Sequence, residues 1–336
     1  MKKLKVGVIG CGRISVMHLI PAKESDYSEL VACCDIKKDR ADIAAKRFGI
    51  KAYYDYTEMF DHEKLDAVHI CLPHYLHVPV SMYAMERGIN VLSEKPMSIS
   101  YADALKAVEC AKKNDVKYGV IFQSRYNDAS RLVKNAVESG KLGRIISASS
   151  VLTWSRSDDY YSDSDWKGTW DKEGGGVVID QAIHSIDLVN WLIDDEVKSV
   201  DAHISNRAHK AVQVEDTAEG LVTYRNGVKY LFYCTNAYAV DEPITIKLVC
   251  ERGKVVFNYD EATVKYGDGT VEHVFSNNKP THPEAKDYWG DSHGRQIDNF
   301  YKACLNLEPL EISGEDALKT QKIICSIYDN SPKIGK

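Results

Sequence analysis

Apolar residues come first in short unbroken runs and later in strict alternation, and that change divides the chain. Runs of β-branched and aliphatic residues at 4–9, 30–34, 66–71, 89–92 and 117–122 read as strands. The stretches between them, 14–24, 38–48, 78–87 and 101–113, carry helical spacing. Strands with no polar face, each followed by a helix, predict a doubly wound parallel sheet covered on both sides over residues 1–122. Past residue 122 the pattern turns. A helix at 128–139 ends at Gly140, a strand follows at 144–153, and a helix lies near 181–193. The run of strands that follows, to about residue 275, alternates apolar and polar (Ala218, Gly220, Val222, Tyr224; Tyr230, Phe232, Cys234). That spacing predicts a mostly antiparallel open sheet with one exposed face, in a second α/β domain over 123–336. Helices at 291–306 and 315–329 close the chain, and the last is expected to pack back on the first domain.

The first chemistry stands at the first strand's end. Residues 4–18 read LKVGVIGCGRISVMH. Gly10 permits a tight turn, and Gly12 lets the backbone approach a pyrophosphate at the N-terminus of the next helix, where Arg13 and Ile14 stand. Ser15 occupies the third glycine position of G-x-G-x-x-G. An ordinary strand–helix turn and a turn binding S-adenosylmethionine share this look. Asp35, at the end of the second strand, has the spacing from Gly12 of a carboxylate that accepts both ribose hydroxyls of an adenosine. Such a carboxylate repels a 2′-phosphate and favours NAD over NADP, although Lys37 and Lys38 follow it.

Three further constellations carry polar groups suited to catalysis. Glu94-Lys95-Pro96 follows a strand at its carboxyl end, where ligands gather in parallel sheets, and Pro96 holds Lys95 extended. Leu72, Pro73 and His77, on a neighbouring loop of the same side, join Glu94 and Lys95 as candidate cofactor contacts, with a backbone contact the plainer role for His77. The run Gly174-Gly175-Gly176 leads to Asp180 and His184. On a regular helix Asp180, His184, Asp187 and Trp191 form one stripe, and an aspartate one turn from a histidine fixes its tautomer and raises its basicity. The plainer reading makes Asp180 an N-cap and Asp187 a solvated neighbour. The loop from Trp154 to Trp170 sets Tyr160, Trp166 and Lys167 among aspartates and serines, a mixture that stacks on a sugar ring and bonds its hydroxyls, or else forms a lid or interface. Gln123 and Arg125 leave the strand 117–122 at its carboxyl end and join the substrate-binding candidates.

Charge and cysteine content narrow the class. Lys and Arg number 43 against 49 Asp and Glu, a formal charge of −6, so no basic surface awaits nucleic acid or a membrane. Nine cysteines are scattered without C-x-x-C or zinc spacing, so no metal is expected and a reducing cytoplasm fits. The apolar run after the N-terminal lysines is too short for a signal peptide.

VGVIGCGRI with Asp35, then CLPHYLH, EKP and GGGVVIDQAIHSIDLVNWL, in this order, make the chain resemble the Gfo/Idh/MocA oxidoreductases, the glucose–fructose oxidoreductase and inositol dehydrogenase family, over essentially its full length. The resemblance implies a Rossmann domain for NAD and a second domain whose large open sheet mediates substrate binding and homodimer or homotetramer formation. It implies Lys95, Asp180 and His184 as the catalytic set, acting on a secondary hydroxyl of a sugar, sugar derivative or cyclitol. Two departures stand out: Ser15, and Gln181-Ala182, where many relatives carry a glycine two residues before the histidine. Redox-neutral glycoside cleavage through transient oxidation and elimination is the alternative reaction, and an NAD-responsive binder without catalysis a third class.

Overall fold

A computed structural model describes residues 2–210, 212–258, 261–275, 292–331 and 334. By packing, the chain divides into two units, residues 2–123 with 292–318, and residues 124–275 with 319–331.

The first unit alternates β1 (Leu4–Ile9), α1 (Val16–Glu24), β2 (Ser28–Cys34), α2 (Lys38–Phe48), β3 (Lys51–Tyr53), α3 (Tyr56–His62), β4 (Ala67–Ile70), α4 (His77–Met85), β5 (Asn90–Ser93), α5 (Tyr101–Lys113) and β6 (Tyr118–Val120). Its sheet has the order β3-β2-β1-β4-β5-β6, and every pairing is parallel. The order reverses between β1 and β4, which opens a ligand crevice beyond their carboxyl ends. Gly10 closes β1 at φ +93°, and a Cβ there would lie 2.2 Å from the carbonyl oxygen of Cys71 at the end of β4. Only glycine fits that close approach. Val6, Val8, Leu30, Cys33, Ala67 and Leu92 form the core together with Leu19 and Ala22 of α1. The core also takes in Ile297, Phe300 and Tyr301 of α9 (His293–Cys304), which packs on α1. The first residue of the expected helix 291–306 lies outside the described residues.

The second unit contains α6 (Asp128–Glu138), β7 (Ile145–Thr153), α7 (Asp158–Ser162) and α8 (Ile183–Ile193), followed by β8 (Val197–Ser205), β9 (Thr217–Tyr224), β10 (Lys229–Thr235), β11 (Thr245–Cys250), β12 (Gly253–Asn258), β13 (Glu261–Tyr266) and β14 (Val271–Phe275). Eight strands form one sheet in the order β14-β13-β12-β11-β7-β10-β9-β8. The β10–β7 pair is parallel and the others antiparallel. Alternation is satisfied as expected: Tyr230, Phe232 and Cys234 are buried while Leu231 stands 57% exposed. Helix α6 covers β13 and β14, and α8 covers β7. Of the closing helix α10 (Gly314–Asp329), residues 314–318 belong to the first unit and 319–329 to the second. No helix among the described residues is long and apolar enough to cross a membrane.

Candidate active site

The glycine turn and the end of β2 are tied together. Asp35 accepts the amide of Cys11 on Oδ2 and that of Lys37 on Oδ1, both at 2.8 Å. Each oxygen keeps a lone pair for a ribose hydroxyl. Gly12 differs from Gly10. A Cβ at Gly12 would meet nothing nearer than the Arg40 guanidinium at 3.8 Å, so the absent side chain leaves room for a ligand rather than for the protein's own backbone. Arg13 and Ile14 are exposed on the way into α1. These residues fit NAD.

Two sequence candidates on this side turn their side chains into the protein. His77 is fully buried, with Nδ1 at 2.6 Å from the Pro96 carbonyl and Nε2 at 2.7 Å from that of Leu72. Its ring staples the 72–73 loop to the segment after Lys95, a structural tie in place of the expected cofactor contact. Glu94 is likewise turned inward. His18 Nε2 lies 2.9 Å from its Oε1, and His293 Nε2 lies 3.5 Å from the same oxygen. Burial alone would raise this carboxyl, but the hydrogen bonds from His18 and His293 outweigh it and hold it well below the usual range. The chain continues through His18 Nδ1 to His69 Nδ1 at 2.9 Å, and from His69 Nε2 to Tyr301 Oη at 3.0 Å. With Glu94 ionised, one proton assignment satisfies every member: Tyr301 donates to His69, His69 to His18, and His18 to Glu94. Among the described residues, His18, Glu94 and His293 are also the one group of metal-ligating side chains close enough to share an ion. The network anchors the strand end from which Lys95 emerges, and the Lys95 amide itself donates to Glu94 Oε2 at 3.2 Å. Lys95 is half-buried, and the peptide bond to Pro96 is cis. Gln123, at the end of this unit, is 5% exposed.

In the second unit the glycine run leads into a π-helical turn, Val178–Ala182, that continues as α8. Asp180 sits in that wide turn and His184 in the first turn of α8. Tyr160 Oη donates to Asp180 Oδ2 at 2.6 Å and Gln181 Nε2 at 2.7 Å, while Lys167 Nζ stands 3.4 Å from the same oxygen. Lys167 also bonds the Tyr160 hydroxyl and lies over that ring, and its Nζ is 5.4 Å from the Trp166 ring centroid. Burial, then the Asp180 charge, pushes the Tyr160 hydroxyl well above its ordinary range. The structure therefore gathers Tyr160, Gln181 and Lys167 around the Asp180 carboxylate, with Trp166 beside Lys167. Glu173, which the sequence did not single out, is raised to about 8 by burial and then by Asp180.

The stripe expected from the sequence does not hold together. Its regular 100° step fails across the π turn, and Asp187 points into the protein. Asp187 is 1% exposed, accepts two bonds from Arg125 and a third from Thr320 Oγ1 at 2.8 Å. Arg125 is 4% exposed and lies 5.6 Å from the Trp191 ring centroid. It is a buried ion-pair partner, not the ring-positioning group expected.

Comparison with known proteins gives the same outline. Residues 4–122 match the model described as an oxidoreductase family with an NAD-binding Rossmann fold, and residues 130–256 match the model of the GFO/IDH/MocA C-terminal domain. The chain is 26% identical to a myo-inositol 2-dehydrogenase of Thermotoga maritima, over 93% of its own length and 92% of that protein. It is 24% identical to a levoglucosan dehydrogenase of Pseudarthrobacter phenanthrenivorans, over 99% and 97%. The crystal structure of the WlbA dehydrogenase from Bordetella pertussis, in complex with NADH and UDP-GlcNAcA, aligns with a TM-score of 0.84 at 27% identity, covering 98% of this chain and 96% of that one.

Proposed function

Because this chain belongs to the Gfo/Idh/MocA family of NAD-binding oxidoreductases, we propose that it oxidises, reversibly, a secondary hydroxyl of a sugar, sugar derivative or cyclitol. The observation that carries this reading is the carboxylate of Asp180, held by Tyr160, Gln181 and Lys167 one turn before His184. When bound, NAD supplies the hydride acceptor. His184 takes the hydroxyl proton on a ring nitrogen, and Asp180 sets the field in which that imidazole becomes basic. Lys95 donates to the reacting oxygen and stabilises the charge that develops on it. Tyr160 and Trp166 offer the ring faces and Lys167 the charge that suit a polyhydroxylated ring. The relatives named for inositol and levoglucosan support this substrate class.

The same reading extends to assembly and setting. The exposed face of the large sheet presents Val151, Leu231 and Val249, an apolar surface that suits pairing of copies into a dimer or tetramer. Nine free thiols among the described residues fit a reducing cytoplasm.

The test is reduction of NAD+ followed at 340 nm against inositols, aldoses, uronates and glycosides, with NADP+ in parallel. NADH formation with one polyol supports the reading. Product release from a glycoside without NADH formation moves the protein to redox-neutral cleavage.

A further inference from the structure

Four successive amides open the turn that carries Asp180, and none is capped from nearby sequence. The Gly176 amide donates to Glu215 Oε2 at 2.9 Å, and the Val178 amide to Glu215 Oε1 at 3.0 Å. Between them, the Val177 amide donates to the main-chain oxygen of Glu215 at 3.2 Å. The Ile179 amide donates to Tyr328 Oη at 3.2 Å, and that hydroxyl in turn donates to Glu215 Oε1 at 2.9 Å. Helices normally satisfy their first amides with a local Ser, Thr, Asp or Asn. Here two residues from elsewhere in the second unit, one just before β9 and one on α10, take all four.

The glycines record the same clamp. A Cβ on Gly175 would lie 2.1 Å from Tyr328 Oη, and one on Gly176 1.9 Å from the Glu215 carbonyl oxygen. The glycines at 175 and 176 are thus required by the closeness of Tyr328 and Glu215. Glu215 is wholly buried, and both of its carboxyl oxygens are taken by protein donors. It acts only through the backbone that bears Asp180 and His184.

We propose that Glu215, assisted by Tyr328, is the positioning residue of the catalytic turn, fixing Asp180 and His184 in register by binding the four amides of residues 176–179. The inference rests on the reading of Asp180 and His184 as reaction residues. Both oxygens of the Glu215 carboxyl accept at once, which a glutamine cannot reproduce because its amide nitrogen only donates. An amide in its place turns one donor toward another donor, and a small shift of a positioned group costs rate out of proportion to its size.

The experiment uses the full-length protein as Glu215→Gln, Tyr328→Phe and His184→Ala. Hydrogen exchange of the amides 176–179 needs no substrate. It should quicken at least tenfold in Glu215→Gln and at the Ile179 amide in Tyr328→Phe, with exchange in the first unit unchanged. With the polyol found by the panel, Glu215→Gln should lose about a hundredfold in kcat, with KM and NADH affinity within about twofold. Tyr328→Phe removes one hydroxyl and keeps the test available should Glu215→Gln fail to fold. Its kcat should fall by about tenfold. Wild-type exchange and wild-type kcat in both variants, beside an inactive His184→Ala, would overturn this inference and leave the reading of the site intact. An active His184→Ala would overturn that reading, while the exchange result would still decide whether Glu215 holds the turn.

Discussion

Arg125 and Asp187 are joined by two parallel bonds, Nε to Oδ2 at 2.7 Å and Nη2 to Oδ1 at 2.6 Å, and both side chains are shut away from water. A bidentate pair of this kind is strong only while complete. Arg125→Met leaves the Asp187 carboxylate buried with Thr320 as its remaining named partner, which should cost about 3–5 kcal/mol. The double variant Arg125→Met/Asp187→Leu should recover most of that loss. Urea unfolding measures both. Wild-type stability in Arg125→Met, with substrate affinity lost, would return Arg125 to the substrate.

Gly10 and Gly12 should respond to alanine in opposite ways. Gly10→Ala drives a Cβ to 2.2 Å from Cys71 O at a φ of +93°, so the fold should lose stability, by about 1 kcal/mol for the backbone conformation alone. Gly12→Ala meets only the flexible tip of Arg40. Its unfolding midpoint should stay near wild type, while NADH affinity falls. Thermal melts and NADH fluorescence titration separate the two effects. Equal loss of stability in both would deny Gly12 its ligand-facing role.

Asp35 is predicted to set the preference for NAD. Asp35→Ser removes the charge that a 2′-phosphate would meet, with Lys37, Lys38 and Arg40 close by in sequence. The ratio of kcat/KM for NAD+ over NADP+ should fall at least tenfold. An unchanged ratio would remove Asp35 from cofactor selection.

Much of this could be read from the chain, and the exceptions have physical causes. Helices 38–48 and 101–113 were fully legible because local signals mark their ends: Gly49 in the left-handed conformation closes α2, and Ser100 caps α5 through the Asp103 amide. The strand β3 and helix α3 span three and seven residues, too few for periodicity to show. Asp187, within the regular part of α8, was misplaced because a helical wheel gives a residue's phase but not what covers that face, and its partner Arg125 lies 62 residues away. Glu215 carried a weak signal only, an acid in the run Val214-Glu215-Asp216-Thr217 ahead of an apolar strand. Its partner amides became visible once the chain was folded.

The buried acids predict a pH dependence of stability. Glu215 is pushed up to about 7, by burial against the opposing bonds from Val178, Tyr328 and Gly176, and Glu173 to about 8. Around them stand Asp180, Tyr161, Tyr328 and Cys234, with Lys167 lowering Glu173. A carboxyl raised on folding binds its proton more tightly in the native state. Its contribution is full below pH about 4.5 and is lost as pH rises through 7 for Glu215 and 8 for Glu173. Wild type should therefore lose stability relative to Glu215→Gln between pH 5 and 8 in paired urea titrations. A difference that stays flat, or that favours wild type as pH rises, would show that Glu215 is ionised throughout.

If Lys95 and His184 handle the proton of the hydroxyl while hydride moves, removing either side chain slows the transfer itself. Single-turnover NADH formation, with polyol and NAD+ both saturating, tests it most directly in Lys95→Ala and His184→Ala. Each variant should retain NADH binding and lose about 10²–10⁴-fold in the rate of hydride transfer. Near-normal transfer in either variant, with only substrate affinity reduced, would contradict that role.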